Sequence, residues 1–167
     1  MGIIETMVVI VIVAVLMMIG VPSLQSWFTP AQVSAKAESV LNGLQFARAE
    51  ALRRNTRIFF SMSADTSWSV GCVVTNAACP SAITSKSSGE AGVLDASSFI
   101  PDAARTVTFN GIGAVATNAD GSASLAQIEF SKSGGGVTKT LRILVTSGGQ
   151  SRICDPAVTT VGDPKKC

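Results

Sequence analysis

The segment Ile3–Pro22 reads IIETMVVIVIVAVLMMIGVP, and it is apolar except at Glu5 and Thr6. As a helix, its residues up to Val21 would extend about 28 Å, close to the roughly 30 Å hydrocarbon core of a bilayer. Glu5 is the only charged side chain before Lys36. Because an unpaired carboxylate is costly in apolar surroundings, Glu5 indicates more than a plain membrane anchor.

A secretory signal peptide fits this start poorly. Such a peptide begins with Lys or Arg and ends at a small-residue cleavage site, whereas this apolar segment follows Met1 and Gly2 and has no clear cleavage site. Within the expected helix, Pro22 removes a backbone donor and should kink or locally melt it, helped by Gly20. Pro30 is expected to be a second weak point.

Helical periodicity continues beyond Pro30 as one apolar stripe. Its members recur at steps of three or four residues, so they share a face that should pack on a globular domain. The helix is expected to end near Arg53–Asn55, because basic side chains suit the negative end of a helix dipole. The stripe consists of Val33, Ala37, Val40, Leu41, Leu44, Ala47 and Ala51.

From Arg57 onward, short alternating or apolar runs replace the helical period and predict strands. One long helix followed by about six short strands indicates an α+β fold, with the stripe lying across an antiparallel sheet. Ser131–Thr138 predicts a hairpin loop, and Thr75–Pro101 predicts a long surface excursion. We divide the chain into a hydrophobic helix (1–30), an amphipathic helix (31–55) and a β domain (56–167). The predicted strands are Ile58–Met62, Ser67–Val74, Thr106–Asn110, Ile112–Thr117, Gln127–Phe130, Leu141–Val145 and Ser151–Cys154.

The composition excludes several function classes. The 167 residues are 47% hydrophobic and 14% charged, with a mean hydropathy of +0.41, which excludes global disorder. There is no His and no Tyr, so Ser-His-Asp and Cys-His catalysis and the usual zinc sites are excluded. The net charge of +2 is too small to indicate a polyanionic partner. No nucleotide-binding or hydrolase motif is present, so we expect no enzyme, cofactor, metal or small-molecule substrate.

The four cysteines form two local pairs in the sequence, Cys72 with Cys79 and Cys154 with Cys167. Neither pair has the CxxC spacing of a redox or zinc motif, so two disulfides are the preferred interpretation. Four cysteines allow three pairings, and free buried thiols are the alternative. Disulfides would place the domain in an oxidising compartment.

Three motifs carry a family resemblance. The N-terminal segment, with Glu5 and Pro22 at their positions, closely resembles the mature start of type IV pilins and type II secretion pseudopilins. The run NGLQFARAEALRRN, Asn42–Asn55, is similar to the helix end of GspH/FimT-type minor pilins. Gly149–Cys154 is similar to the C-terminal region of the FimT/FimU branch. The resemblance implies a type IV pilin fold and a basic leader removed by prepilin peptidase. The family usually starts with an N-methylated Phe, where this chain has Met1.

The resemblance implies a structural subunit of a type IV pilus, a minor or a major pilin. In such filaments the Glu5 carboxylate is thought to pair with the N-terminal amine of a neighbouring subunit, here that of Met1, and Pro22 is counted among the assembly residues. A carboxylate at the lipid interface is the plainer alternative. The implied partners are other pilin subunits in a homo- or hetero-oligomeric filament, which serves adhesion and twitching motility. The subunit would first be a single-pass protein of the bacterial inner membrane and then part of an extracellular filament.

Two further functions stay open at this point. Some FimT-branch members bind DNA through a basic C-terminal motif, so Arg152, Lys165 and Lys166 are candidate DNA contacts of a tip pilin in natural transformation. Three cations offer few phosphate contacts, and a solvated tail explains them as well. A pseudopilin of type II secretion would share the N-terminus and the domain type. The Asn42–Asn55 run also fits packing alone, with small residues on the sheet and Arg and Glu in solvent.

Overall fold

A computed structural model describes residues 2–63, 65–87, 96–134 and 136–167; Met1 lies outside them. One helix, α1, spans Ile3–Arg54. It is helical throughout, so the expected melting at Pro22 and the weak point at Pro30 are not found. A proline removes a single backbone hydrogen bond, and the bonds of the turns on either side keep a helix of 52 residues continuous.

The C-terminal half of α1 confirms the predicted stripe. Asn55 ends the helix in the left-handed conformation, and its N–H caps the carbonyls of Ala51 and Leu52. Asn is one of the residues that tolerate this conformation. Leu41 lies at the partly buried margin of the stripe, and the other six members are buried: Val33, Ala37, Val40, Leu44, Ala47 and Ala51.

The described residues form two antiparallel sheets. A five-stranded sheet has the order β3-β2-β1-β5-β6, and a four-stranded sheet has the order β4-β7-β8-β9. Main-chain bonds connect the sheets, including one from the Val115 N–H to the Ser147 carbonyl at 2.9 Å. The strands are β1 (Ile58–Met62), β2 (Trp68–Cys72), β3 (Thr84–Lys86), β4 (Ala96–Ile100), β5 (Thr106–Phe109), β6 (Val115–Ala116), β7 (Gln127–Gly134), β8 (Val137–Val145) and β9 (Ser151–Cys154).

Two sequence expectations are wrong here. The predicted excursion Thr75–Pro101 contains two strands, β3 and β4, although residues 88–95 lie outside the described part. Both are edge strands. β3 has no buried side chain, and β4 begins with the small residues Ala96, Ser97 and Ser98 before the buried Phe99, so neither shows an apolar alternation in the sequence. The predicted loop Ser131–Thr138 is mostly paired strand as well. Its hydroxyl groups bond across the hairpin, Ser131 to Thr140 at 3.0 Å and Ser133 to Thr138 at 2.7 Å.

The core lies between α1 and the inner faces of both sheets. Alternate residues of β1 and β7 point inward, and the largest buried side chains are phenylalanines. Gly43 lies where α1 crosses β1 and β2. A Cβ atom at this glycine would be 2.9 Å from the Phe60 ring and 3.1 Å from the Trp68 ring. The helix therefore approaches the five-stranded sheet as closely as a residue without a side chain permits.

Gly43→Ala tests this close approach. Helix propensity alone would stabilise the protein by about 1 kcal/mol, but displacing two packed rings costs about 1–3 kcal/mol. We expect net destabilisation in urea unfolding of the full chain in nonionic detergent. Ala35→Gly, at an exposed helix position, measures the propensity term. A stabilised Gly43→Ala protein would show that the rings yield freely.

Candidate assembly helix and basic groove

The N-terminal segment of α1 exposes a continuous apolar surface. Every described side chain from Ile3 to Met18 is exposed, and the large apolar ones range from 43% at Val13 to 82% at Ile3. An apolar surface of this extent indicates a contact with protein or lipid. In the described part of the chain, no helix combines the length and the apolar character required to cross a bilayer.

Glu5 is the acidic residue of the first helical turn and is exposed. A carboxylate there interacts favourably with the positive end of the helix dipole. The two other predicted assembly residues give less information. Met1 is not described, and Pro22 is described only through its helical backbone. The structure therefore places Glu5 near the N-terminal end of the apolar surface, and the predicted partner Met1 lies outside the described residues.

The helix begins to pack on the β domain at Thr29, which is 5% exposed and directly follows the exposed pair Trp27 and Phe28. A Cβ atom on Gly134 would lie 2.6 Å from the Thr29 hydroxyl, so the end of β7 lies directly on the helix.

One turn further along α1, the same hairpin is tied to the helix by a hydrogen bond. Lys132 Nζ donates to Gln32 Oε1 at 2.6 Å. The contacts with the β7–β8 hairpin thus fix the point along α1 at which the helix begins to pack on the β domain.

Arg48 connects α1 to one turn of each sheet. Its Nε donates to the Gly113 carbonyl at 3.0 Å, and its Nη2 donates to the Gly148 carbonyl at 3.5 Å. Gly113 follows β5 and Gly148 follows β8. At Gly149, where φ is +78°, a Cβ atom would collide with the Gly113 carbonyl. The two turns therefore touch each other beneath the guanidinium group.

Glu50 forms a second polar cluster near the end of α1. Its carboxylate, in a residue only 9% exposed, accepts hydrogen bonds from Arg53 at 2.7 and 2.9 Å and from Arg54 at 2.6 Å. The hydrogen bonds from Arg53 contribute most to lowering the pKa of Glu50 to about 2. Arg54 also donates to the Ala78 carbonyl. The interpretation of Arg and Glu in this run as merely solvated is therefore wrong for Arg48 and Arg54, which donate to carbonyls of the β domain. Arg53 is exposed and pairs with Glu50 of its own helix.

Two disulfides close local loops, Cys72–Cys79 and Cys154–Cys167. The first loop contains Ala78, the acceptor of Arg54. The second folds the C-terminal residues back beside β9. There the Asp155 N–H donates to the Lys165 carbonyl at 2.7 Å.

An ion pair fastens the second loop to β8. Lys139 of that strand pairs with Asp155, and its hydrogen bond contributes most to lowering the pKa of that carboxyl.

A groove of about 470 Å³ separates α1 from the β8–β9 turn. Its helix side consists of Gln45, Arg48, Ala49 and Leu52, and its strand side includes Thr146, Gln150 and Arg152. We call it the Arg48–Arg152 groove. Arg152 Nη1 donates to the Lys166 carbonyl at 3.3 Å.

The structure does not unite the three candidate DNA contacts in one groove. Arg152 lies in the Arg48–Arg152 groove, whereas Lys165 lines a different groove together with Glu38 and Asp155. The Lys166 ammonium donates to the Thr159 carbonyl within the disulfide loop.

Comparison with known proteins decides the family. Residues 36–154 match the family described as Type II transport protein GspH. The chain belongs to the GspH family. As a GspH-family protein it has a structural, non-enzymatic role, and the predicted resemblance is confirmed. No curated protein sequence matches it significantly.

Two solved structures are similar to this chain. The type IV minor pilin FimU of Pseudomonas aeruginosa, in one crystal form, has 17% identity and a TM-score of 0.51 over 74% of this chain and 88% of that one. A second FimU crystal form has 16% identity and a TM-score of 0.47 over 72% of this chain and 90% of that one. The first match confirms the predicted α+β pilin fold of this GspH-family chain.

Sequence reasoning missed the role of Arg48. It recognised the Asn42–Asn55 run and the Gly149–Cys154 run separately, whereas in the fold they form the two sides of the same groove. The available signal was an Arg placed off the apolar stripe between Ala47 and Ala49. Such a position predicts a solvated side chain unless its distant acceptors are known.

Arg48→Ala should destabilise the fold by about 1–3 kcal/mol, because two turn carbonyls lose a charged donor. Arg48→Lys should recover only part of this loss, since an ammonium cannot replace the planar fork. Arg57→Ala removes the same charge at an exposed position and should change stability by less than about 0.5 kcal/mol. Urea unfolding of the full chain measures all three, and equal effects of Arg48→Ala and Arg57→Ala would contradict the role of Arg48.

Glu50 predicts a pH dependence of stability. Its pKa is about 2 in the fold against an ordinary 4.5. Its contribution is therefore fully present above about pH 4.5 and is lost as the pH falls toward 2. The contribution is at most about 3 kcal/mol, and solvent screening at the exposed Arg53 reduces it.

Urea unfolding of the wild type and of Glu50→Gln at pH 7 and at pH 3 measures the contribution of the Glu50 charge to the free energy of unfolding. The difference between the two proteins should shrink at pH 3. Asp155 acts in the same direction, but it is present in both proteins and so cancels in the comparison. A difference that is the same at both pH values would contradict the role of the Glu50 charge.

Proposed function

We propose that this chain is a minor subunit of a type IV pilus. The observation that carries the proposal is the apolar segment of α1, which extends beyond the packed β domain with every described side chain from Ile3 to Met18 exposed. Such a surface is unfavourable in water. Neighbouring helices of the same kind would cover it in a filament, and lipid would cover it before assembly.

The β domain would face outward from the helical core, in the periplasm before assembly and outside the cell afterwards. Its two disulfides fit oxidising surroundings. We place the subunit first in the bacterial inner membrane as a single-pass protein. Adhesion and twitching motility would then be properties of the assembled filament, and N-methylation of Met1 would complete the mature subunit.

Glu5 is proposed to select the correct axial position of the subunit. In the core of a helix bundle, its carboxylate would pair with the amine of a neighbour's Met1. A buried charge pair stabilises only the arrangement in which both partners meet, because a misplaced subunit leaves each charge unpaired. Pro22 is proposed as an assembly residue because a helix lacking one backbone bond bends more easily between neighbours.

The test compares Glu5→Ala with Glu38→Ala. Both remove an exposed carboxylate from α1, but Glu38 lies beside the β domain. We expect Glu5→Ala to reduce incorporation into sheared filaments at least tenfold, as leaving one partner of a buried pair costs several kcal/mol. Membrane-fraction levels should stay normal, and Glu38→Ala should assemble normally. Unchanged incorporation of Glu5→Ala would overturn the pairing.

A type II secretion pseudopilin is the second candidate, favoured by the description of the matching family as a type II transport protein. Deletion of the gene separates the two functions: loss of surface pili supports the pilus, and loss of exoprotein secretion supports the pseudopilin. Mass spectrometry of purified filaments then distinguishes a minor from a major pilin by abundance. Contact with DNA through Arg152, Lys165 and Lys166 stays a prediction.

A further inference from the structure

The Arg48–Arg152 groove is cationic and has no acidic side chain in its lining. Within the described residues, neither arginine forms an ion pair with a carboxylate. Arg48 donates through Nε and Nη2, and Arg152 donates through Nη1. A guanidinium carries five N–H donors, so both keep donors for a ligand. Ala49 and Leu52 add an apolar wall on the helix side.

We propose that this groove binds the carboxylate of an acidic segment on a neighbouring pilin subunit. Planar guanidinium groups bind carboxylates through paired hydrogen bonds, and the apolar wall suits the methylenes of a Glu or Asp side chain. The neighbouring subunit is taken from the proposed filament function, on which this part of the inference rests.

Nucleic acid fits the groove less well. Binding to a phosphate backbone needs a track of several cations. Beyond Arg152 that track is broken, since Lys165 lies in another groove beside Glu38 and Asp155, and the Lys166 ammonium is held by the Thr159 carbonyl.

The groove lies well apart from the apolar segment along α1. Arg48 is twenty residues beyond Phe28, the last exposed residue before the helix packs on the β domain. At 1.5 Å per residue this places the groove about 30 Å along the helix axis from the exposed segment. The groove and the apolar segment are therefore separate surfaces of the subunit.

The first test titrates the full chain, in nonionic detergent at low salt, with fluorescein-labelled hexaglutamate and follows fluorescence anisotropy. Hexaglutamate should bind, hexaglutamine should not, and 0.5 M salt should weaken binding by screening. Arg152→Gln should weaken the binding of hexaglutamate about tenfold or more, as expected for a lost charged hydrogen bond. Arg152→Lys should fall between that variant and the wild type.

Two further variants make this result specific. Lys165→Gln removes one positive charge outside the groove and should change affinity less than about twofold. Ala49→Glu places a carboxylate inside the groove on an exposed helix position and should abolish binding while the helix is kept. Circular dichroism confirms folding of each variant. Absent binding, or equal losses for Arg152→Gln and Lys165→Gln, would overturn the proposal, as would tighter Arg152-dependent binding of oligothymidylate.

The second test asks whether the ligand is a pilin. A photo-crosslinking amino acid at Gln45, in the groove lining, is introduced into the chain in piliated cells. Mass spectrometry should find an adduct with an Asp- or Glu-containing segment of another pilin, and Arg152→Gln should remove it. If no cross-linked product contains a pilin, the proposal that the ligand is a neighbouring subunit is overturned. The titration requires no filament, so its failure is distinguishable from failure of the pilus proposal.

Discussion

The fold depends on the close approach of α1 to both sheets. The buried stripe includes Ala37, Ala47 and Ala51, and Gly43 meets the rings of Phe60 and Trp68 without a side chain of its own. Because protein interiors are packed as densely as organic crystals, a helix face of small residues requires large partners. The strands supply them, chiefly as buried phenylalanines, so helix and sheets are complementary in size.

Small side chains bring the helix close but do little to fix its rotation or its axial position. Directional contacts do so at its C-terminal end. The Arg48 guanidinium donates to the Gly113 and Gly148 carbonyls at the same time. Arg54 donates both to Glu50 and to the Ala78 carbonyl of the first disulfide loop. At the other end of the packed region, Lys132 reaches Gln32 from the hairpin. Polar contacts thus fix both ends of an interface whose middle is apolar.

The α+β class, the helix end and the buried stripe could be predicted because each follows from a local period or cap. The predicted bounds of β1 match the observed ones, since the strand is a short run of apolar and aromatic residues. β3 and β4 could not be predicted, because these edge strands consist mainly of small or polar residues and carry no apolar alternation. The Ser- and Gly-rich composition of the hairpin predicts a loop, and the cross-strand bonds between its hydroxyl groups are visible only in the fold.

The candidate site residues also divide into those with a local sequence pattern and those without one. Glu5 was identified from its isolation in an apolar segment, a feature visible in the sequence alone. The role of Arg48 depends on two turns more than sixty residues away in sequence, so no local pattern could reveal it. Arg152, Lys165 and Lys166 are close in sequence or near one disulfide, yet they face different surroundings. Proximity in sequence predicts a shared surface poorly where a turn and a disulfide loop intervene.

One helix here serves two environments, and the change between them occurs at Thr29. Beyond it, the stripe and its polar contacts give α1 a fixed place on the β domain. Before it, the described side chains up to Met18 make an apolar surface with no covering from their own chain. The exposed segment therefore adds little to the stability of the subunit, and under the proposed function its burial would be gained from a partner. Substitutions there should affect assembly while the β domain stays folded, which is the separation expected of a subunit that folds first and associates afterwards.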